Sequence, residues 1–169
     1  MKKPAVFLDR DGVINIDKNY VYKIKDFEWI TDIKQAIKFI NDNGYYVFVV
    51  TNQSGISRGY YSIKDMEKLH KYINYELNLI DTKINAFFYS PYHPEAIDTR
   101  FVHLSNLRKP NTGMLELALK EWDIEKEKSF LIGDKKTDIK CANKFGINGY
   151  IFDYKKDNIL KLVKKIIQT

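Results

Sequence analysis

The sequence predicts an α/β protein: a three-layer, doubly wound, mostly parallel sheet. Two observations carry this. The apolar runs are short and near-continuous rather than alternating, and helical periodicity fills the gaps between them. Continuous apolar runs suit strands covered on both faces, and strict strand–helix alternation builds parallel βαβ units. Length is the third observation. At 169 residues the chain can bury one sizeable core, so a single domain over residues 1–169 is expected.

The elements follow in order. Ala5–Leu8 reads as the first strand. Ile33, Ala36, Ile37 and Ile40 recur at helical spacing behind the capping candidates Thr31 and Asp32. Tyr45–Val50 is the second strand. Ser62-Ile63-Lys64-Asp65 resembles a capping box with Asp in place of Glu or Gln, and opens a helix carrying Met66, Leu69, Ile73 and Leu77. His70 of that helix is expected on the surface. Ala86–Tyr89 forms a third strand, and Thr112 caps a helix with Leu115, Ala118, Leu119 and Trp122. Phe130–Ile132 is followed by a helix from about Thr137 to Phe145, stopped by Gly146. Tyr150–Phe152 is the last strand, before an amphipathic helix with Leu160, Val163 and Ile167. Two stretches lack periodicity: Asn15 to about Phe27, and Ser90 to Pro110. The second is long for a structureless loop, which points to function or to an ordering device.

Composition narrows the partners. The net charge is +6, but the lysines are scattered, and five fall in the last fifteen positions. A nucleic-acid surface would need them clustered with aromatics, so no nucleic-acid partner is expected. No stretch approaches the 18 apolar residues of a membrane span. Met1-Lys2-Lys3-Pro4 runs straight into a strand and leaves no room for a signal peptide, so a cytoplasmic protein is expected. The single cysteine, Cys141, excludes an internal disulfide and a cysteine-rich zinc site.

The chemistry gathers after the strands. Asp9-Arg10-Asp11-Gly12 follows Ala5–Leu8 and places two carboxylates two residues apart, on one side of a strand end. Thr51-Asn52-Gln53-Ser54-Gly55 follows the second strand. Arg108-Lys109-Pro110 precedes the Thr112 helix, and Gly133-Asp134-Lys135-Lys136-Thr137-Asp138 follows the fourth strand. In an open α/β sheet these turns meet in one crevice. Acids, a hydroxyl, amides and a lysine together suit phosphoryl transfer. Mg²⁺ held by Asp9 and Asp134 would compensate the phosphate, with Thr51 and Lys109 on its oxygens.

Taken in order, Asp9-x-Asp11-Gly12-Val13, Thr51-Asn52, Lys109 and Gly133-Asp134-x-x-x-Asp138 resemble the four motifs of the haloacid dehalogenase phosphatase superfamily. Finer features narrow the branch. Phe7–Asn15, Thr51–Gly59 and Arg108-Lys109-Pro110-x-x-Gly113-Met114 resemble the D-glycero-D-manno-heptose 1,7-bisphosphate 7-phosphatase and histidinol-phosphate phosphatase branch, over about Ala5 to Phe152. The resemblance implies a Rossmann-like fold without a separate cap domain, and a monomer. It implies that Asp9 is the nucleophile, Asp11 the general acid and then base, and Thr51 and Lys109 the groups that orient the phosphoryl. Mg²⁺ would sit between the Asp9 carboxylate, the Asp11 carbonyl and Asp134, with Asp138 orienting Lys109 or a water on the metal. Substrate contacts fall on Asp17, Lys18, Asn19, Tyr20, Asn52, Gln53, Ser54, Arg108 and Lys135, with Arg58 a further candidate. The expected partner is a small phosphorylated sugar, heptose 1,7-bisphosphate first. The alternatives are histidinol phosphate, a polynucleotide 3′-phosphate and, in another class, a non-catalytic phospho-ligand-binding module.

One departure stands out. Relatives of this branch often carry a zinc loop of four Cys and His ligands before the Arg-Lys-Pro. Here those positions are Ser90, Tyr92, Ser105 and Leu107, which supply no thiolate, so no structural zinc is expected. Either packing of Tyr89, Tyr92 and Phe101 orders the loop instead, or the loop stays mobile until substrate arrives.

Overall fold

The computed structural model describes every residue from Met1 to Thr169. Its strands are β1 (Ala5–Leu8), β2 (Tyr46–Asn52), β3 (Ala86–Ser90), β4 (Phe130–Gly133) and β5 (Asn148–Ile151), in one all-parallel sheet of order β3-β2-β1-β4-β5. Helices α1 (Ile33–Asp42), α2 (Ile63–Asn78), α3 (Gly113–Glu121) and α4 (Lys136–Phe145) make the return connections, and α5 (Ile159–Ile167) follows β5. β1 lies in register with both neighbours: Phe7 faces Phe48 of β2 and Leu131 of β4.

Side-chain alternation along β1 divides the core. Val6 and Leu8 enter a cluster with Ile33 and Ile37 of α1, Leu69 and Ile73 of α2, and Ile159 and Val163 of α5. Ala5 and Phe7 enter a second cluster, with Leu115 and Ala118 of α3 and Cys141, Ala142 and Phe145 of α4. All four β1 residues are fully buried, as a central parallel strand requires. The result is three layers, with α1, α2 and α5 on one face and α3 and α4 on the other. No cap domain interrupts them. Between β1 and α1, and between β3 and α3, the irregular chain adds only short 3₁₀ segments, Ile24–Asp26 and Thr99–Leu107. No helix is long and apolar enough to cross a membrane.

Local details depart from the sequence reading in instructive places. The Ser62–Asp65 capping box forms in both directions. Thr112 does not cap; its hydroxyl turns along the helix to Glu116 Oε1, and Asp32, at φ 64°, accepts instead from Asn158 next to α5. β5 begins earlier than Tyr150 and is half-exposed, because it is an edge strand. His70 is the clear correction. It is buried rather than on the surface, because it lies one turn beyond Met66 on the inward stripe of α2.

The Ser90–Pro110 segment is held by packing and by arginines. Tyr89 and Phe101 rest on a small cluster of Ile56, Tyr61 and Met66. Arg58 Nη2 reaches His93 at 3.1 Å, and Arg108 Nη1 donates to the Tyr92 carbonyl at 3.2 Å. Tyr92 thus serves through its backbone rather than its ring.

Candidate active site

Beyond the carboxyl ends of β1, β2 and β4 lies a polar crevice of about 230 Å³, with Asp9, Asp11, Asn52, Gln53, Lys109 and Asp138 among its walls. This is where an open α/β sheet places a ligand, on either side of the strand at which the winding reverses. Lys109 is its hub. The buried Nζ lies 3.0 Å from Asp9 Oδ1 and 2.6 Å from Asp138 Oδ1, and donates to the Val50 carbonyl at 2.8 Å. Those three acceptors use every proton an ammonium carries. Asn52 fixes the lysine's backbone from both ends of its amide, accepting from Lys109 N at 3.0 Å and donating to Lys109 O at 3.2 Å.

Glycines let the acids approach. Gly12, at φ +89°, sits so close to Asp134 that a Cβ would fall 2.4 Å from its Oδ2. At Gly133 a Cβ would meet Asp138 Cβ at 2.2 Å. Asp138 Oδ2 accepts from Lys135 N at 3.0 Å, so both its oxygens are committed within the protein. Asp134 differs: its Oδ1 is buried with no partner. Carboxylate oxygens of Asp9, Asp134 and Asp138 all lie within 4.8 Å of one another.

Electrostatics follow from this crowding. Burial pushes the Asp9 carboxyl up to about 8 against the pull of Lys109, and the charges of Asp138, Asp134 and Asp11 push the same way. Burial likewise raises Asp134. Burial works to lower Lys109, but Asp9 and Asp138 outweigh it and hold the ammonium well above its ordinary range. An oxygen-rich set with an orphaned carboxylate oxygen and too few cations is what a hard divalent ion requires, and Mg²⁺ fits it.

Asp11 sits beyond the end of β1, in a turn bridged to Asn15. Burial alone would raise its carboxyl. The Arg10 charge and hydrogen bonds from Asn15, Arg10 and Gln53 prevail and hold it below its ordinary value. Asn15 Nδ2 reaches Asp11 Oδ1 at 3.0 Å, and Gln53 Nε2 reaches Asp11 Oδ2 at 3.1 Å and Thr51 Oγ1 at 2.8 Å. The Tyr61 hydroxyl donates to Gln53 Oε1 and orients that amide.

Most of the residues singled out from the sequence converge here. Asp17, Asn19, Tyr20, Ser54 and Lys135 line the crevice, with Lys135 Nζ 3.7 Å from Asp17. Asn19 and Tyr20 both hold positive φ, near 59° and 57°, an uncommon conformation for two successive side-chain-bearing residues. Thr51 and Asp134 are not among the lining residues, but Thr51 Oγ1 is 2.8 Å from the lining Gln53, and a carboxylate oxygen of Asp134 is within 4.8 Å of one of Asp9. Lys18 is not brought in; it pairs with Glu28 at 2.8 Å. Arg108 is not among the lining residues; its guanidinium is held to the Tyr92 carbonyl, within electrostatic reach of the lining residue Tyr20. Sequence reasoning missed Tyr61, Thr137, Asn15, Arg10 and His70. Arg10 alone left a usable signal, since its parity along β1 sends it into the helical layer rather than the crevice.

Residues 5–157 match the family described as polynucleotide kinase 3 phosphatase. The chain is 44% identical over 142 residues to a D-glycero-alpha-D-manno-heptose-1,7-bisphosphate 7-phosphatase of Campylobacter jejuni, covering 84% of this chain and 77% of that one. It is 37% identical over 166 residues to the beta-anomer enzyme of Rhodopseudomonas palustris, covering 98% and 91%. Among solved structures it is similar to the D,D-heptose 1.7-bisphosphate phosphatase of B. bronchiseptica, complexed with magnesium and phosphate. There the TM-score is 0.84 at 22% identity, with 98% of each chain covered.

Proposed function

The chain belongs to the polynucleotide kinase 3 phosphatase family of haloacid dehalogenase-type phosphatases, and we propose that it is a Mg²⁺-dependent phosphatase acting on heptose 1,7-bisphosphate at position 7. The chemistry rests on one observation: Asp9 stands in the crevice against Lys109, with Asp134 and Asp138 crowding it. The substrate reading rests on likeness to heptose bisphosphate phosphatases along most of the chain.

In this reading the Asp9 carboxylate attacks phosphorus in line, and the P–O bond to the sugar breaks as the aspartyl-phosphate forms. Asp11, an ionised carboxylate in the free protein, takes up a proton as the phosphate enters, gives it to the departing sugar oxygen, then takes one from the water that hydrolyses the intermediate and restores Asp9. Thr51 holds a non-bridging phosphoryl oxygen, Lys109 lends its positive charge beside Asp9 to the transferred group, and Asp138 keeps Lys109 aimed. Mg²⁺, held by the Asp9 and Asp134 carboxylates and the Asp11 carbonyl, would neutralise charge on the transferred group.

Two features favour a bisphosphate. Arg108 is lowered by burial and then by the neighbouring positive charge of Arg58. Arg58 meets His93 and Arg108 the Tyr92 carbonyl, neither of them a carboxylate, so positive charge near the crevice is left uncompensated. A second phosphate fits that charge better than the ammonium of histidinol phosphate. The family's description keeps a 3′-phosphorylated nucleic acid as the second reading, although the lysines do not form a tract beside the crevice.

Phosphate release with Mg²⁺ decides among them. The panel holds both heptose 1,7-bisphosphate anomers, fructose 1,6-bisphosphate, histidinol phosphate and a 3′-phosphorylated oligonucleotide, with Asp9→Asn as the blank. One heptose anomer should exceed the rest in kcat/KM by at least about 10²-fold, roughly 2.7 kcal/mol of transition-state discrimination. Uniformly weak rates would keep the phosphatase chemistry and overturn the heptose assignment.

A further inference from the structure

Arg10 stands between the two acids of the first turn, yet none of its surface reaches solvent. Alternation along β1 explains where it goes. It shares the parity of Val6 and Leu8, whose side chains enter the α1, α2 and α5 layer, so its guanidinium runs beneath the crevice floor toward α2. A buried cation needs acceptors. Nη2 donates to both oxygens of Asp11, at 3.0 and 3.1 Å, and to the Val21 carbonyl. Nη1 lies 3.2 Å from Nε2 of His70.

That last contact fixes the chemistry of His70. A guanidinium offers donors only, so Nε2 must accept, and the imidazole is neutral with its proton on Nδ1. Burial and the Arg10 charge both act in this direction and lower His70 to about 3. The ring is stacked on Phe87 of β3, with centroids 4.4 Å apart. His70 is therefore a fixed, uncharged acceptor braced by the sheet. Of the three side chains that donate to Asp11, Asn15 and Gln53 belong to crevice turns. Arg10 alone ties the carboxylate to a helix of the scaffold.

We propose that Arg10 is a positioning residue for Asp11, and that His70 holds the Arg10 guanidinium in the orientation that aims the Asp11 carboxyl at the leaving oxygen. The inference rests on the reading of Asp11 as the acid and base of the reaction. Its signature is dependence on the leaving group. A sugar alkoxide needs a proton to depart, whereas p-nitrophenolate departs without one. kcat/KM, which reports steps up to attack by Asp9, separates the two.

The experiment compares kcat/KM for the preferred sugar phosphate and for p-nitrophenyl phosphate, both with Mg²⁺. His70→Leu should lower the first by about 10-fold or more and the second by less than about 3-fold. His70→Gln, whose amide oxygen can accept from Arg10, should stay within about 3-fold of wild type on both. Arg10→Lys, which loses the two-oxygen grip on Asp11, should show the same selectivity as His70→Leu. If Arg10→Lys fails to fold, the His70 pair decides, with thermal melting confirming the folded state. Equal losses on both substrates, or no loss on either, overturn the inference. Asp11→Asn separates the two levels. If it lacks the selectivity, the acid assignment fails and takes the inference with it. If it has the selectivity and His70→Leu does not, the inference alone fails.

Discussion

At Asp9, burial and three neighbouring carboxylates act against a single lysine, and the carboxyl titrates near 8 in the metal-free protein. The unfolded chain releases that proton near 3.8, so between about 4 and 8 the native state binds more protons than the unfolded one. Stability contributed by this group therefore falls as pH rises through that window. Asp9→Asn removes the titration. In EDTA its Tm should gain on wild type between pH 5 and pH 8 while phosphatase activity drops to background. A difference in Tm that does not change with pH would refute this account. The acids themselves were legible because D-x-D, Thr-Asn, Lys and Gly-Asp occur in order after apolar runs. Lys18 lies outside the crevice lining because a loop residue's direction is set by a local pairing, here with Glu28, that no periodicity reports. His70 acts through a contact between distant segments, and Asn15 and Tyr61 through irregular turns four and eight residues from their partners, none of which leaves a periodic pattern.

The elements matter here chiefly through their turns. β1 ends at Leu8, and the chain must double back within Gly12–Asn15, where Gly12 N donates to the Asn15 carbonyl at 2.8 Å. Gly12 meets two demands at once, a left-handed φ and contact with Asp134. Gly12→Ala should therefore displace Asp134 rather than unfold the protein. We expect the Mg²⁺ concentration for half-maximal activity to rise by about 10-fold or more, the scale typical of disturbed ligand support. An unchanged Mg²⁺ dependence would show that Asp134 does not serve the metal. Strands and helices were readable from the sequence because burial on both faces and on one stripe leave different periods. Their caps were less so. Thr112 and Asp32 stand at helix starts, but their side chains found other partners, since a cap competes with every donor and acceptor nearby.

Across the whole molecule, the two apolar clusters meet only through the sheet, and Phe48 is central to the one beneath α3 and α4. It is fully buried, with the rings of Phe7, Tyr46, Phe88 and Trp122 all within 6 Å of its centroid. Phe48→Ala should cost about 3–5 kcal/mol and lower Tm by roughly 6–20 °C. Well below Tm, kcat per folded molecule should stay within about twofold; a larger loss would mean that the cavity reaches the crevice. The fold class was legible from alternation alone, whereas the strand order was not, because adjacency is decided by crossovers rather than by neighbouring residues. That order has a consequence for synthesis. β1 lies at the middle of the sheet, yet β4, which covers one of its edges, is translated roughly 120 residues later. At about 5–20 residues per second, that edge waits roughly 6–24 s on the ribosome with unpaired backbone groups and a very apolar strand. The nascent chain is thus most open to mispairing at the strand that leads into Asp9. Slowing translation between β3 and β4 should lower the yield of folded protein more than slowing it after β5.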